Sequence, residues 1–194
     1  FEEGRFQLND PVYRFLPGWR DQQVWVQGEG DTLETRPPAS PMTMRHILSH
    51  TAGLTYGALL AADPHPVTAG YQRRGVQPGD GAPLASCAEK LAPGPLRYDP
   101  GTRWLYSLAT DVCGCLVETI SGQKFEDFLQ QRIFQPLGMD DTGFWVPEHK
   151  VERFAANYER APDKSLRLLD DPLNSKYLRC LLYTSPSPRD SMTS

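Results

Sequence analysis

Proline and glycine punctuate this chain so densely, with 18 and 16 residues among 194, that long regular elements do not fit between them. The fold must be assembled from short helices and hairpins joined by tight turns. "NDPVYRFLP" predicts one helical segment, with Asp10 as cap, Pro11 in the first position, Val12, Phe15 and Leu16 inward, and Pro17 as stop. "QVWVQGEGDTLETR" predicts a hairpin whose strands, Val24 to Gln27 and Leu33 to Arg36, flank a Gly-Glu-Gly-Asp turn. "TMRHILSHTAGL" predicts a helix that begins at Thr43, buries Met44, Ile47 and Leu48, and stops at Gly53. Gly57 to Gly81 has no sustained period and reads as a long surface excursion of the kind that covers a cleft. Leu84 to Leu91 predicts a helix broken by "APGPLRYDPG". The clearest helix, Leu108 to Ser121, aligns Val112, Cys113, Leu116, Val117 and Ile120 in one stripe and ends at Gly122. Phe125 to Phe134 follows, with Phe125, Phe128, Leu129 and Ile133 on one face, and "LGMDDTGFWVP" reads as turn and extended chain. There is no internal repeat.

The length suits one domain with a real core. A net charge of −4 with acidic and basic residues interspersed leaves no footprint for nucleic acid or an anionic membrane, so small molecules are the expected partners. No apolar run approaches the roughly eighteen residues of a spanning helix. Phe1 opens without a starting methionine or a signal segment, and the chain is expected to begin inside a longer reading frame. At the other end "CLLYTSPSPRD", Cys180 to Asp190, has no period and matches the in-frame translation of a transposase-type sequencing adapter. The expected organisation is therefore a partial domain over residues 1–179 and an artefactual tail over 180–194. Without Cys180, the cysteines Cys87, Cys113 and Cys115 are odd in number and lack a C-x-x-C spacing, which gives no argument for a disulfide framework or zinc.

The residues of the chain narrow the chemistry further. There is no G-x-S-x-G, so the nucleophile elbow of an α/β-hydrolase is missing. His46 and His50 stand four apart, but no H-E-x-x-H glutamate accompanies them and no third metal ligand is evident, so local hydrogen bonds are expected of both. The acid pairs Asp140-Asp141 and Asp170-Asp171 lie in turn-like sequence where solvation is the ordinary state. "YDPGTRWLYSLATDVCGCLVETISG" is more informative, because it sets a tyrosine and a serine between a Pro-Gly turn and an apolar helix. Ser107 suffices to cap that helix by accepting from an N–H two or three residues on. Tyr106 is not needed for capping, and on its own it reads first as an aromatic packing the helix entry with its hydroxyl in water, which is how most tyrosines live.

"EEGRFQLNDPV", "MTMRHILSHTAGL", "PGTRWLYSLATDVCGCLVETISGQKFEDFLQQRIFQPLGMDDTGF" and "FAANY" resemble, in that order, the β-lactamase-related serine hydrolases. That family includes class C β-lactamases, D-alanyl-D-alanine carboxypeptidases, D-aminopeptidases and family VIII carboxylesterases, and the resemblance runs from Phe1 to about Leu178. In the family the nucleophile is the serine of a Ser-x-x-Lys turn opening a helix, and a second motif begins with tyrosine. Tyr106-Ser107-Leu108 stands at that second motif, which implies that Tyr106 is the catalytic base and acid exchanging a proton with the nucleophile and the leaving group. A phenol of pKa near 10 needs a shift of about three units, or ~4 kcal/mol, to act near neutrality. One cation at ~4 Å with an effective dielectric of ~20 supplies about that much, the role of the family's lysine. The resemblance puts the serine and lysine helix just upstream of Phe1 and a third, strand-borne motif beyond the end of the resembling region. It implies scaffold roles for Ser49, His50 and Thr51, and either a pocket wall or a core filler in Trp104. Leu108 stands where the family often has Asn, whose amide binds acylamino groups, so Leu108 is expected in the substrate-binding region with a preference for esters.

The resulting expectation is an α+β chain of the β-lactamase/transpeptidase-like fold, comprising mainly its helical subdomain with a small β-hairpin. The expected activity of the intact protein is acyl transfer through an acyl-enzyme on a small-molecule ester or amide, carboxylesterase-like first, without metal or organic cofactor. β-Lactamase, D-Ala-D-Ala carboxypeptidase or D-aminopeptidase activity, or a non-catalytic peptidoglycan-binding scaffold, are the alternatives. Residues 1–179 alone are expected to be inactive.

Overall fold

A computed structural model describes residues 1–56, 63–76 and 83–178, with Lys176 described in its backbone alone. The tail residues 180–194 lie outside the described residues, as do parts of the 57–81 excursion. The chain divides into two compact units, Phe1–Pro78 with Leu84–Phe128, and Gly79–Pro83 with Leu129–Ser194. Among the described residues, no helix is long and apolar enough to cross a membrane.

The larger unit holds the buried apolar side chains, among them Val12, Ile47, Leu54, Val67, Leu91, Leu96, Leu108, Val112 and Leu116. The first expected helix is instead two 3-10 turns, Val12–Arg14 and Pro17–Trp19, so Pro17 starts a turn where the sequence suggested a stop. Proline suits that first position because it lacks only a hydrogen that no carbonyl would accept. Strands β1 (Val24–Gln27) and β2 (Glu34–Arg36) form the expected antiparallel hairpin, and Val24 also bridges in parallel to Leu96. Helix α1 (Met44–Leu48) starts at Thr43 in a capping box in which the Thr43 N–H donates to His46 Nδ1 at 3.2 Å. It ends five residues before Gly53, and Leu48 is 54% exposed, contrary to the expected burial.

The excursion expected over Gly57 to Gly81 contains helix α2 (Pro66–Arg73), whose Val67, Thr68, Gly70 and Tyr71 are buried. His65 caps it by accepting the Val67 N–H at 3.2 Å, and Pro66 occupies the first turn. The proline that reads as a breaker is a helix start. Helix α3 (Leu84–Leu91) lies where expected and packs on α4 (Ala109–Ser121). Their contact centres on Gly114, where a Cβ would come within 2.9 Å of Leu84 Cδ1, so the buried face of α4 runs through Ala109, Val112, Gly114, Cys115 and Leu116. Cys113, Val117 and Ile120 of the expected stripe are only half-buried. Gly122, at φ 72°, ends α4 in the left-handed region as its sequence position predicts.

The single helix expected over Phe125 to Phe134 is two elements. Helix α5 (Phe125–Leu129) is one turn and more, and Gln130–Phe134 is a wider π turn closed by Gln135 N–H donating to Gln130 O at 2.9 Å. Ile133 is exposed there. The smaller unit continues with an antiparallel hairpin that the sequence reading did not foresee, β3 (Asn157–Arg160) with β4 (Leu166–Asp170), whose turn places Lys164 at φ 71°. Leu137, Trp145, Leu166, Leu168, Leu169 and Leu173 of this unit are exposed, and among the described residues its apolar side chains build no buried core.

Candidate active site

Tyr106 is positioned by a backbone lattice in the larger unit. The segment from Arg97 to Leu108 curls around residues 50–55. Arg97 N–H donates to Gly53 O at 2.7 Å, Gly101 N–H to Thr51 O at 2.7 Å, Leu105 N–H to His50 O at 2.9 Å, and Leu108 N–H to Thr55 O at 3.1 Å. Two glycines make the approach possible. Gly53 has φ +81°, and any Cβ there would collide with the Tyr98 carbonyl oxygen. Gly101 has φ +87° and lies against His46, whose Nε2 would be 3.0 Å from an added Cβ. His46 and His50 thus have separate duties within the scaffold.

Tyr106 falls between the last two of these bonds and stands 48% exposed, while its neighbours Ser107 and Leu108 are buried. Ser107 behaves as the sequence suggests: its Oγ accepts the Ala109 N–H at 3.4 Å at the entry to α4. The helix begins one residue later than expected, with Leu108 at its N-cap position. Leu108 has 0% exposure, so its side chain is part of the core beneath Tyr106 and offers neither a polar group nor open surface there.

Aromatic rings surround the phenol. The His50 ring lies 4.9 Å from it and the Tyr56 ring 5.0 Å, and Trp104, 67% exposed and so not a core filler, stands 6.2 Å from His50. His50 has φ 54°, a left-handed backbone that a non-glycine residue adopts at some cost. Its imidazole is engaged with Ser107 Oγ at 3.3 Å through Nδ1 and with Thr110 Oγ1 at 3.5 Å through Nε2. Ser49 Oγ donates to Arg45 O and lies 2.8 Å from Thr51 Oγ1, so all three residues make the local hydrogen bonds foreseen for them. Burial raises the Tyr56 phenol above its ordinary pKa, and the charges of Tyr106 and Asp111 and a hydrogen bond with Tyr106 add to that. Burial likewise raises Asp111.

One Ser-x-x-Lys spacing does occur, Ser121-Gly122-Gln123-Lys124. It sits at the wrong end of a helix. Ser121 is the last residue of α4, the left-handed Gly122 turns the chain away, and Ser121 Oγ accepts the Gln123 N–H at 3.1 Å. The serine and lysine therefore do not share a helical face as a nucleophile and its lysine must. The acids Asp140, Asp141, Asp170 and Asp171 lie in the smaller unit, where Asp141 pairs with Arg153 and Lys150 and Asp171 accepts from Leu173 and Asn174. Asp140, Asp141 and Asp170 line a cavity of about 740 Å³ in that unit, together with Trp145 and Tyr177.

A half-exposed tyrosine fixed at a helix entry by a curled loop, in a mixed helix and hairpin scaffold, is the setting in which comparison with known proteins is decisive. The β-lactamase family profile matches residues 1–178, and the chain belongs to that family. It is 35% identical over 170 residues to esterase EstB of Burkholderia gladioli, covering 86% of this chain and 39% of that protein. It is 33% identical over 175 residues to monacolin J acid methylbutanoyltransferase of Aspergillus terreus, covering 87% and 40%. Among solved structures, EstCE1, a hydrolase with promiscuous acyltransferase activity, superposes with a TM-score of 0.68 at 30% identity over 88% of this chain and 40% of its own. The fold is the β-lactamase/transpeptidase-like one, and the chain spans about 40% of the length of these relatives.

Proposed function

We propose that these residues are part of a serine hydrolase that acts on carboxylic esters through an acyl-enzyme, with Tyr106 as its proton-transfer residue. The observation that carries the reading is the placement of Tyr106: a ring at the mouth of α4 whose flanking residues Leu105 and Leu108 are pinned to His50 and Thr55, while half its surface remains open to a reacting group. The family membership and the names of the relatives, an esterase and acyltransferases, support ester chemistry.

In this reading a serine on a Ser-x-x-Lys helix outside residues 1–194 attacks the ester carbonyl. Tyr106 takes the serine proton, and backbone N–H groups hold the tetrahedral oxygen. Tyr106 then returns the proton to the departing alcohol, and water releases the acid from the acyl-enzyme by the reverse exchange. Residues 1–179 alone are proposed to be silent, because Tyr106 would have neither a serine to deprotonate nor a lysine to favour its phenolate. The test is Y106F in the protein made from the full reading frame that contains these residues. Loss of a positioned acid-base group should lower kcat/KM on p-nitrophenyl butyrate by about 10²- to 10⁴-fold with the fold intact by near-UV circular dichroism. Activity within about threefold of the unsubstituted protein would remove Tyr106 from the mechanism.

A further inference from the structure

Tyr56 is set beside Tyr106 by more than proximity in sequence. Thr55, the residue before it, is buried and accepts the Leu108 N–H through its carbonyl, which holds the Tyr56 ring 5.0 Å from the Tyr106 ring at 46°. The Thr55 side chain is braced from below. Thr68 Oγ1 on α2 lies 3.1 Å from Thr55 Oγ1 and 2.9 Å from Asp63 Oδ2, and Asp63 also accepts Arg97 Nη1 at 2.6 Å. The single Thr68 hydroxyl proton goes to the carboxylate, so Thr55 donates to Thr68 and the chain of donors is fully used. A tyrosine that merely covers the surface does not need a buried polar brace at the preceding residue.

We propose that Tyr56 is a positioning residue of the reaction: its phenolic hydrogen is donated to the Tyr106 oxygen, which aims that oxygen and favours its deprotonated form. The inference rests on the reading of Tyr106 given above. His50, the other ring against Tyr106, is not available for this duty because both of its ring nitrogens face Ser107 and Thr110. Tyr56 is also the right member of the pair to keep its proton, since burial and then the charges of Tyr106 and Asp111 hold its phenol above the ordinary range. Tyr56 transfers no proton. Tyr106 gains one from the serine and returns it to the leaving alcohol, and the Tyr56 hydrogen stays on its own oxygen throughout. Asp111 and His50 are the titratable groups facing the pair, and neither changes in the variants below.

The experiment follows kcat/KM on p-nitrophenyl butyrate against pH for the full-reading-frame protein and its Y56F, Y56L, Y106F and Y56F/Y106F variants. Y56F removes one hydroxyl and keeps the ring. It should lower activity at pH 7 about tenfold and move the acidic limb of the profile upward by about one unit, the effect of one lost hydrogen bond to a charged oxygen. It should add no further loss to Y106F, since the two act as one unit. An unmoved acidic limb in Y56F, with Y106F inactive, would overturn the role of Tyr56 and leave that of Tyr106 standing. So would a full-activity Y56F beside an impaired Y56L, which marks a ring that only packs. An active Y106F would overturn both.

Discussion

Gly53→Ala is the substitution most able to test how the scaffold holds Tyr106. At φ +81° an alanine bears left-handed strain of about 1–2 kcal/mol. Its Cβ would also meet the Tyr98 carbonyl oxygen and approach Leu96 Cβ at 3.2 Å, so the two segments must part. Parting them breaks the 2.7 Å bond from Arg97 N–H to Gly53 O, a further loss of about 0.5–1.5 kcal/mol. The total is roughly 1.5–3.5 kcal/mol, a large share of the 5–15 kcal/mol typical of a domain. In urea denaturation followed by tryptophan fluorescence, a slope of about 2 kcal/mol/M turns this into a midpoint lowered by about 1–2 M. Gly30→Ala is the internal control, because Gly30 has φ +55° with open space where the Cβ would stand and should register the strain alone. If G53A is no more destabilising than G30A, the close approach to Tyr98 does not support the loop and the reasoning fails.

Other outcomes follow from the same geometry. With the apolar, fully buried Leu108 in place of an amide, the full-reading-frame protein should show a higher kcat/KM on p-nitrophenyl butyrate than on nitrocefin; the reverse order would overturn the ester preference. Burial pushes the Asp63 carboxyl up, but Thr68, the His65 N–H and Arg97 outweigh it and hold its pKa below the ordinary value. Asp63 therefore contributes stability that is present above about pH 4 and is lost as pH falls through its lowered folded pKa. D63N should cost about 1–3 kcal/mol at pH 7 and flatten part of the acid-side fall in the urea midpoint; an unchanged acid-side slope would show that Asp63 is not coupled to folding. Expressed alone, residues 1–179 should resist labelling by a fluorophosphonate probe, and stoichiometric labelling at Ser49, Ser107, Ser121 or another serine would show that the nucleophile lies within them.

The parts of the fold that were legible in the sequence are those fixed by local chemistry. His46 accepts the Thr43 N–H at the start of α1, Gly122 supplies a left-handed end, and Val24 to Gln27 pairs across a glycine-rich turn; each is decided within a few residues. Long-range packing decided the rest. Nothing local shows that Leu48 faces outward, or that α4 turns Gly114 rather than Cys113 toward α3, because only the neighbouring helix selects the buried face. Helix α2 was hidden by two prolines and an internal glycine, although His65 and Pro66 together were a readable start signal. The β3–β4 hairpin was hidden because Leu169 breaks the alternation that Leu166, Arg167 and Leu168 begin, leaving a period too short to read as a strand. Tyr106 could be picked out from motif order, whereas Tyr56, fifty positions earlier, became visible only once Thr55 and Leu108 were seen to be paired.

The four main-chain bonds between residues 50–55 and 97–108 divide the neighbourhood of Tyr106 into a backbone frame and a rim of side chains that the frame does not depend on. Main-chain bonds are indifferent to most side-chain replacements, and Arg103 and Trp104 are exposed on the curl, the first over the Tyr98 ring and the second edge-on to His50. Random mutation at those two positions can therefore reshape what is offered to an incoming molecule while the phenol stays put. A library randomised at 103 and 104 is therefore the economical place to vary the surface beside the phenol without loosening the main-chain bonds that hold it.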